Sequence, residues 1–590
     1  MRVYLYRLWG EKQLLRSIHL LILAGCILIF EPWASGQETH DCVRPGVGAE
    51  VPEPKDLVSR DGALKVELTY RSFQDEHGRT RYCYLEPDGS EAPTLHVHPG
   101  DWLILSLKNE VAVPSSAMHS AHALGLTPAH STVCPNATMQ PSSTNVHYHG
   151  LSIAASCGQD DVLHTSIPPG APPYEYRFQI PPEEQPGLYW YHPHIHGSTK
   201  AQVLGGASGA LIVEGVERVK PMLAGLPERV FVIRDQNLEN PDAPPADAGA
   251  QVPPATLDHD GDAMNTGTGT GKPAQDLSIN FVPVPYPNYP TATISVRPNE
   301  QQLWRVLNSC AITYLNLQVL FNGEAQAVQV IGVDGNPVRD VRASGNPAIW
   351  LNHLGVPPGG RIEFVVKTPA EGVKASLVTR SVNTGALGEN DPARPIASIV
   401  AKRDAPQPRF VLSKSTEPLT APHNEWLGKV TPTRTRKLYF SEVLQNPKDP
   451  NSPTIFYLTV DGQKPSPFDP NSDLPNIVTR QGDVEDWIIE NRSQELHAFH
   501  IHQVHFQLLE FFGLPVGEPF LRDTVNVPYW DGKNPIYPRI KIRVDFRDPS
   551  SVGLFPYHCH LLEHEDSGMM GLIRVEPASA ETTNSTGEMK

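Results

Sequence analysis

Of the 590 residues, 24 are histidine, and they concentrate in four short pieces. These are His147-Tyr-His149, His192-Pro-His194, His497-Ala-Phe-His500-Ile-His502 and His558-Cys559-His560. In a β-strand, residues two apart share a face, so each His-x-His pair can aim two imidazoles at one point. A metal ion requires that convergence, and four such pairs in one chain exceed what chance supplies. Parity extends the argument. His500 and His502 share a face and His497 points to the other; His558 and His560 share a face and Cys559 points away. Two strands therefore offer Cys and His on one side and four His on the other. His, thiolate and a weak axial Met form the blue-copper ligand set. His564 and Met569, downstream of Cys559, lie on a segment able to return to the same ion. The four remaining His, with the two earlier pairs, give eight imidazoles, which suit three copper ions better than one.

With these motifs the chain resembles the multicopper oxidases, the laccase-like family of three cupredoxin domains. The resemblance covers most of the chain and includes Trp304-Arg305-Val306-Leu307-Asn308 of the middle block. It implies four copper ions. Cys559, His497 and His564 would hold the type 1 copper, with Met569 axial, and His147 and His500 the type 2 copper. His149, His192 and His560 would hold one type 3 copper, and His194, His502 and His558 its partner. Two positions depart from the family pattern: Ala498 replaces a proline and Gln503 a glycine, which bears on local loop shape. His196 and His505, beside ligands, are expected to be structural or substrate-access residues.

The resemblance implies an oxidase that takes single electrons from phenols or similar small reductants and passes four to O2, giving water. Electrons would enter at the type 1 copper and cross from Cys559 to the type 3 pair through the adjacent His558 and His560. A metal oxidase acting on Cu(I) or Fe(II) is the alternative. Only eight methionines are present, without a methionine-rich insert, which argues against a specialised cuprous oxidase. A non-catalytic electron carrier would not need the eight-His site. Oxygen reduction consumes protons, and Asp160 and Glu565 match the positions of acids that feed them in related enzymes.

The elements that position these residues read as strands. Leu64, Val66, Leu68 and Tyr70 alternate with polar residues, the period of a half-buried strand. There are 59 prolines, and proline is expelled from helix interiors. The expectation is an all-β chain of three consecutive cupredoxin-like, Greek-key β-sandwiches: residues 37–215 and 413–578 carrying the ligands, and 216–412 linking them. Two polar insertions, 113–145 and 236–280, interrupt this pattern. Asp258, Asp260 and Asp262 in the second are expected to be solvated loop, and the tail 579–590 to be disordered.

Residues 1–36 have a secretory signal layout, with Arg2, Arg7, Lys12 and Arg16 before an apolar run from Ile18 to Phe30 and small residues at Ala34-Ser35-Gly36. That run is shorter than the ~20 residues of a stable membrane span. Export to a periplasmic or extracellular location is expected, and Leu23-Ala24-Gly25-Cys26 leaves a lipid anchor on Cys26 open. An oxidising compartment would permit a Cys134–Cys157 bridge, whereas Cys310 reads as a buried free thiol. The net charge of −17 disfavours nucleic acid as a partner. The expected partners are O2 and a small-molecule or metal-ion reductant.

Overall fold

The computed structural model describes residues 42–112, 134, 139–244, 271–338, 348–412, 425–449 and 452–578. Residues 1–36 with Cys26, the Asp258–Asp262 cluster and residues 579–590 lie outside the described residues. The chain is mostly β, with 44% strand and 5% helix. Among the described residues no helix is long and apolar enough to cross a membrane.

Six sheets pair into three sandwiches. In the first, a four-stranded sheet (Thr80–Leu85, Ala63–Gln74, Trp102–Asn109, Tyr174–Gln179) faces a five-stranded one. The five-stranded sheet runs Asp56–Val58, Thr94–Val97, Gly209–Val213, Gly187–His192, His147–His149. Alternation works as expected in Ala63–Gln74: Leu64, Val66, Leu68 and Tyr70 are buried against Leu95, Val97, Leu211 and Val213 of the facing sheet. Each such buried aliphatic side chain stabilises the sandwich by about 1.5–3 kcal/mol. The middle sandwich has sheets of eight and six strands around Phe231, Trp304 and Phe364. The third has sheets of six and five around Trp487, Phe499 and Tyr557.

The same pairing recurs three times. Ala63–Gln74 runs parallel to Trp102–Asn109, Glu228–Gln236 to Gln301–Asn308, and Arg434–Leu444 to Val484–Asn491. On the opposite sheets Thr94–Val97 runs parallel to Gly209–Val213, Ala292–Val296 to Ala397–Ala401, and Ile477–Arg480 to Met570–Glu576. Parallel neighbours cannot be joined by a hairpin, so each pair forces a long crossover. The repeated crossover makes the three sandwiches one topology used three times.

The expected insertions are narrower than their sequence boundaries. Asp276–Ile279 forms a strand antiparallel to Glu228–Gln236. Asp276 is buried there because its carboxylate accepts from the Tyr286 and Glu239 N–H groups, each at 2.8 Å. Ser143, Thr144 and Asn145, at the end of the first insertion, are also buried. Their polarity reads as loop in sequence, but Asn145 Nδ2 donates to the packed Thr165 and His194 carbonyls, each at 3.0 Å. Cys134 pairs with Cys157 and Cys42 with Cys83, while Cys310 is buried and free.

Candidate metal centre

The ligand-type residues cluster where strands of the first and third sandwiches end. His147 sits opposite His192 in an antiparallel register, and His500 sits opposite His558. The expectation that each pair shares one strand face holds for His147 and His149, both within His147–His149. In the other pairs the second histidine stands beyond the strand, yet the rings still converge, with centres 5.0 Å apart for His500 and His502 and 5.6 Å apart for His558 and His560. His194, His502 and His560 lie just past the strand ends at His192, Ile501 and Cys559. At the first of these the cause is Pro193, which lacks the N–H needed to continue a ladder. Asn145 holds that turn instead: its Oδ1 accepts from the His194 N–H at 2.7 Å and its Nδ2 donates to the His194 carbonyl at 3.0 Å.

Four buried groups bring their ligand-type atoms within 4.8 Å of one another: His147, His149 and His500; His149, His192 and His560; His194, His502 and His558; and His497, Cys559 and His564. Hydrogen bonding decides which ring nitrogen carries the lone pair. The Nδ1–H of His192 donates to the Pro193 carbonyl, that of His500 to the Asp523 carbonyl and that of His558 to the Cys559 carbonyl, each at 2.9 Å. His147 Nδ1–H donates to Asp160 at 2.9 Å. Each of these four rings therefore turns an Nε2 lone pair inward. His149 is reversed, with Nε2 donating to Asp523 Oδ1 at 3.1 Å and Nδ1 left free.

The inward nitrogens of His147, His149, His192 and His500 are buried without a hydrogen-bond partner. His558 Nε2 lies 3.4 Å from His194 Nε2 and 3.2 Å from His502 Nε2. Burial, more than the neighbouring imidazoles, lowers the pKa of all these rings, to about 3 for His192 and about 4 for His558. They are thus neutral, the form that binds a metal. Orphaned lone pairs cost free energy, and converging ones repel; cations among them resolve both. The residues present fit metal ions.

The fourth group lies on the other side of Cys559. Its Sγ is 3.5 Å from His497 Nδ1 and 3.8 Å from His564 Nδ1. The short helix Leu562–Asp566 turns the chain back, so the Met569 N–H donates to the His564 carbonyl at 2.8 Å and the Met569 carbonyl accepts from Cys559 N–H at 3.1 Å. Met569 is fully buried in this loop, whereas Met570 pairs with His558 in the sheet. Ser493 Oγ lies 2.8 Å from His497 Nε2, and Phe456 stacks on His564 with ring centres 4.2 Å apart. Two carboxylates border the same histidines, Glu442 at 3.1 Å from His497 Nε2 and Glu495 at 3.6 Å from His564 Nε2. Burial, then the Glu442 charge, pushes Glu495 up to about 9.

The two expected acids occupy different places. Asp160 accepts from His147 Nδ1, from the Tyr148 N–H at 2.9 Å and from Gln503 Nε2 at 2.5 Å. Burial nonetheless pushes its carboxyl up to about 8. Glu565 is fully buried, 3.6 Å from His194 Nε2 and 3.4 Å from His558 Nδ1, and burial followed by the Asp566 charge raises its pKa well above the usual range. Sequence reasoning missed Asp523 and Arg361. Asp523 sets the His149 tautomer and takes a two-point contact from Arg361, at 2.7 and 2.5 Å. Neither has a spacing signal, because Asp523 lies 374 positions from His149. His196 packs edge-on against Phe468, and His505 Nε2 lies 3.7 Å from Asp523. His96 bridges Glu214 and Asp56, and His98 contacts Asp101. His164 bridges Asp161 and Asp473.

Two family models, both described as multicopper oxidase, match residues 133–218 and 447–579, the segments that carry the motifs. The multicopper oxidase mco of Staphylococcus aureus is 26% identical over 439 residues, covering 73% of this chain and 77% of that protein. The iron transport multicopper oxidase FET3 of Gibberella zeae is 23% identical, covering 89% of this chain and 80% of its own. The fold is similar to the multicopper oxidase from Campylobacter jejuni, described as a metallo-oxidase, with a TM-score of 0.60 at 22% identity, covering 90% of this chain and 96% of that one. Both matched segments are multicopper oxidase domains, and the multicopper oxidases to which the chain is similar are copper-dependent oxidoreductases with O2 as acceptor.

Proposed function

We propose that this protein oxidises small reductants one electron at a time and reduces O2 to water. Four coppers are assigned: His497, Cys559 and His564, with Met569, would hold a type 1 copper, and His147 and His500 a type 2 copper, beside a type 3 pair. His149, His192 and His560 would hold one ion of the pair, and His194, His502 and His558 the other. Bound copper supplies the one-electron redox cycling that no side chain here provides. The observation that carries this reading is the segment His558-Cys559-His560. Its central residue belongs to the thiolate group and both flanking residues belong to the imidazole groups. One covalent path therefore joins a site for taking electrons to a site for spending them.

The chain's own residues do the rest. Asp160, Asp523 and three backbone carbonyls hold imidazole protons outward, so that lone pairs point inward. Such outer hydrogen bonds fix ring orientation and raise ligand basicity. Glu565, kept protonated by burial between His194 and His558, is placed to release a proton at the imidazole cluster. Asp160 is assigned both to holding His147 and to proton supply. The segment 1–36 is assigned to export, placing the enzyme outside the cytoplasm, with lipid attachment through Cys26 as a variant of that assignment.

A metal-ion reductant is the second reading. Glu442 and Glu495 put acidic side chains beside both histidines of the thiolate group, and an arriving cation, unlike a neutral phenol, would favour the ionised form of Glu495 that burial opposes. The iron transport and metallo-oxidase relatives agree in kind. Steady-state O2 consumption by copper-loaded protein with phenols, Fe(II) and Cu(I) decides between them. A phenol kcat/KM above both metal ions supports the first reading, and the reverse order supports the second. No oxidation of any of the three would overturn both.

A further inference from the structure

Gln503 follows the ligand-type His502 and stands where the family pattern has glycine. Its backbone has φ +57°, in the left-handed region that glycine enters freely and a residue with a side chain does not. The side chain is buried, with 4% exposure. Its Nε2 donates to Asp160 Oδ2 at 2.5 Å, across 343 positions of sequence. Asp160 has two other donors, Tyr148 N–H and His147 Nδ1, and both belong to the same sandwich as Asp160 itself. Gln503 is the contact that reaches it from the third sandwich. Beside it, His502 stacks on the His147 ring with centres 3.8 Å apart. One dipeptide therefore touches His147 on its face and, through Asp160, on its Nδ1 edge.

We propose that Gln503 is a positioning residue that locks the Asp160 carboxylate and thereby fixes the tautomer and orientation of His147 as a copper ligand. This rests on the assignment of His147 to a copper in the preceding section. A carboxylate held by three donors has one rotamer. With the amide removed, Oδ2 loses the donor that opposes His147, and the carboxylate can swing about its Cβ–Cγ bond. Outer partners of metal-bound histidines typically change metal affinity by about 10–100-fold when removed. Gln503 acts one bond further out, so the lower end of that range applies. A glycine here would suit the backbone better; in the structure it is the bond to Asp160 that a glutamine adds.

The test uses the full copper-loaded chain with Gln503→Gly and Gln503→Met. Glycine relieves the left-handed backbone and removes the donor; methionine keeps the backbone conformation and volume and removes only the donor. Electron paramagnetic resonance reads the copper at His147, and chelator competition reads its dissociation constant. The blue thiolate band and the melting temperature report folding in both variants. Both variants are expected to keep the blue band, shift the resonance parameters of the non-blue copper and weaken its retention about tenfold. The glycine variant should do so without a fall in melting temperature. A blue glycine variant with the wild-type resonance and wild-type retention would overturn the proposal. Wild-type protein that keeps the blue band and shows no second copper signal would overturn the His147 assignment, and this inference with it.

Discussion

Cys559 is fully buried, and burial raises its thiol pKa well above the ordinary value, so the bare side chain stays protonated. A cation held with His497 and His564 reverses that preference, because a coordinating thiol is deprotonated outright. Changing Cys559 to Ser should therefore abolish the blue absorption and the oxidase activity together. His500→Ala, on the opposite side of the strand pair, should spare most of the blue band and stop O2 consumption. A Cys559→Ser protein that stayed blue would sink the thiolate assignment. Glu565 offers a separate test. Glu565→Gln keeps the shape and removes the releasable proton. Reduction of the blue site by substrate should run at nearly the wild-type rate, while reoxidation by O2 slows by about 10²–10⁴-fold, as for a lost general acid. Stopped-flow mixing of the reduced variant with O2 measures the second step alone, and an unchanged rate would rule out Glu565 as a proton source.

Among the elements, the loop carrying Asp161 and His164 is fastened to the segment before the strand Ile477–Arg480. His164 Nδ1 is 2.8 Å from Asp161 and its Nε2 is 3.0 Å from Asp473. The Asp161 hydrogen bond, against a desolvation that opposes it and with Asp473 adding to it, pushes the His164 pKa up from 6.5 to about 9. Because the folded value is the higher one, the stabilisation is fully present below pH 6.5 and is lost as pH rises through about 9. His164→Ala should therefore lower the melting temperature at pH 6 and leave it close to wild type above pH 10. Melting curves across that range check it; an equal deficit at both ends would show that packing, not charge, ties the loops. Strand alternation made Ala63–Gln74 legible from sequence, since burial follows period two. The ends of the two insertions were not legible, because Asp276 and Asn145 read as loop residues until their hydrogen-bond partners are known. The ligand-type histidines were visible through spacing that a strand or its end converts into convergence. Asp523 was not, and Gln503 stood out only as a glycine replacement bearing on loop shape, because the partners His149 and Asp160 lie hundreds of positions away.

Across the whole molecule, the middle sandwich supplies no residue to the four histidine and cysteine groups, yet Arg361 ties it to both neighbours. This guanidinium is fully buried at the start of the strand Arg361–Lys367. Its Nε donates to the Leu188 carbonyl of the first sandwich at 3.3 Å, and its two Nη atoms grip Asp523 of the third. Asp334 completes the network at 3.6 Å, and burial followed by the Asp523 charge pushes its carboxyl up to about 6. Removing one member of a buried ion pair leaves an uncompensated charge and typically costs 3–5 kcal/mol. Arg361→Met should lower stability by about that amount, because it strands Asp523 and Asp334 together. Asp523→Asn alone should also destabilise, since Arg361 then loses its two-point charged partner and keeps only Asp334 at 3.6 Å. The double variant Arg361→Met with Asp523→Asn should be more stable than the sum of the two losses implies, by roughly 2–3 kcal/mol of coupling. Asp523 also holds His149 Nε2, so the Arg361 variant should loosen copper held by His149 as well as the interface. Urea unfolding of the four proteins in the double-mutant cycle, with copper content measured on each, supplies both readouts. Strictly additive losses would show that Arg361 and Asp523 are neighbours without being partners. Coupled losses with full copper content would confine the network to joining the sandwiches.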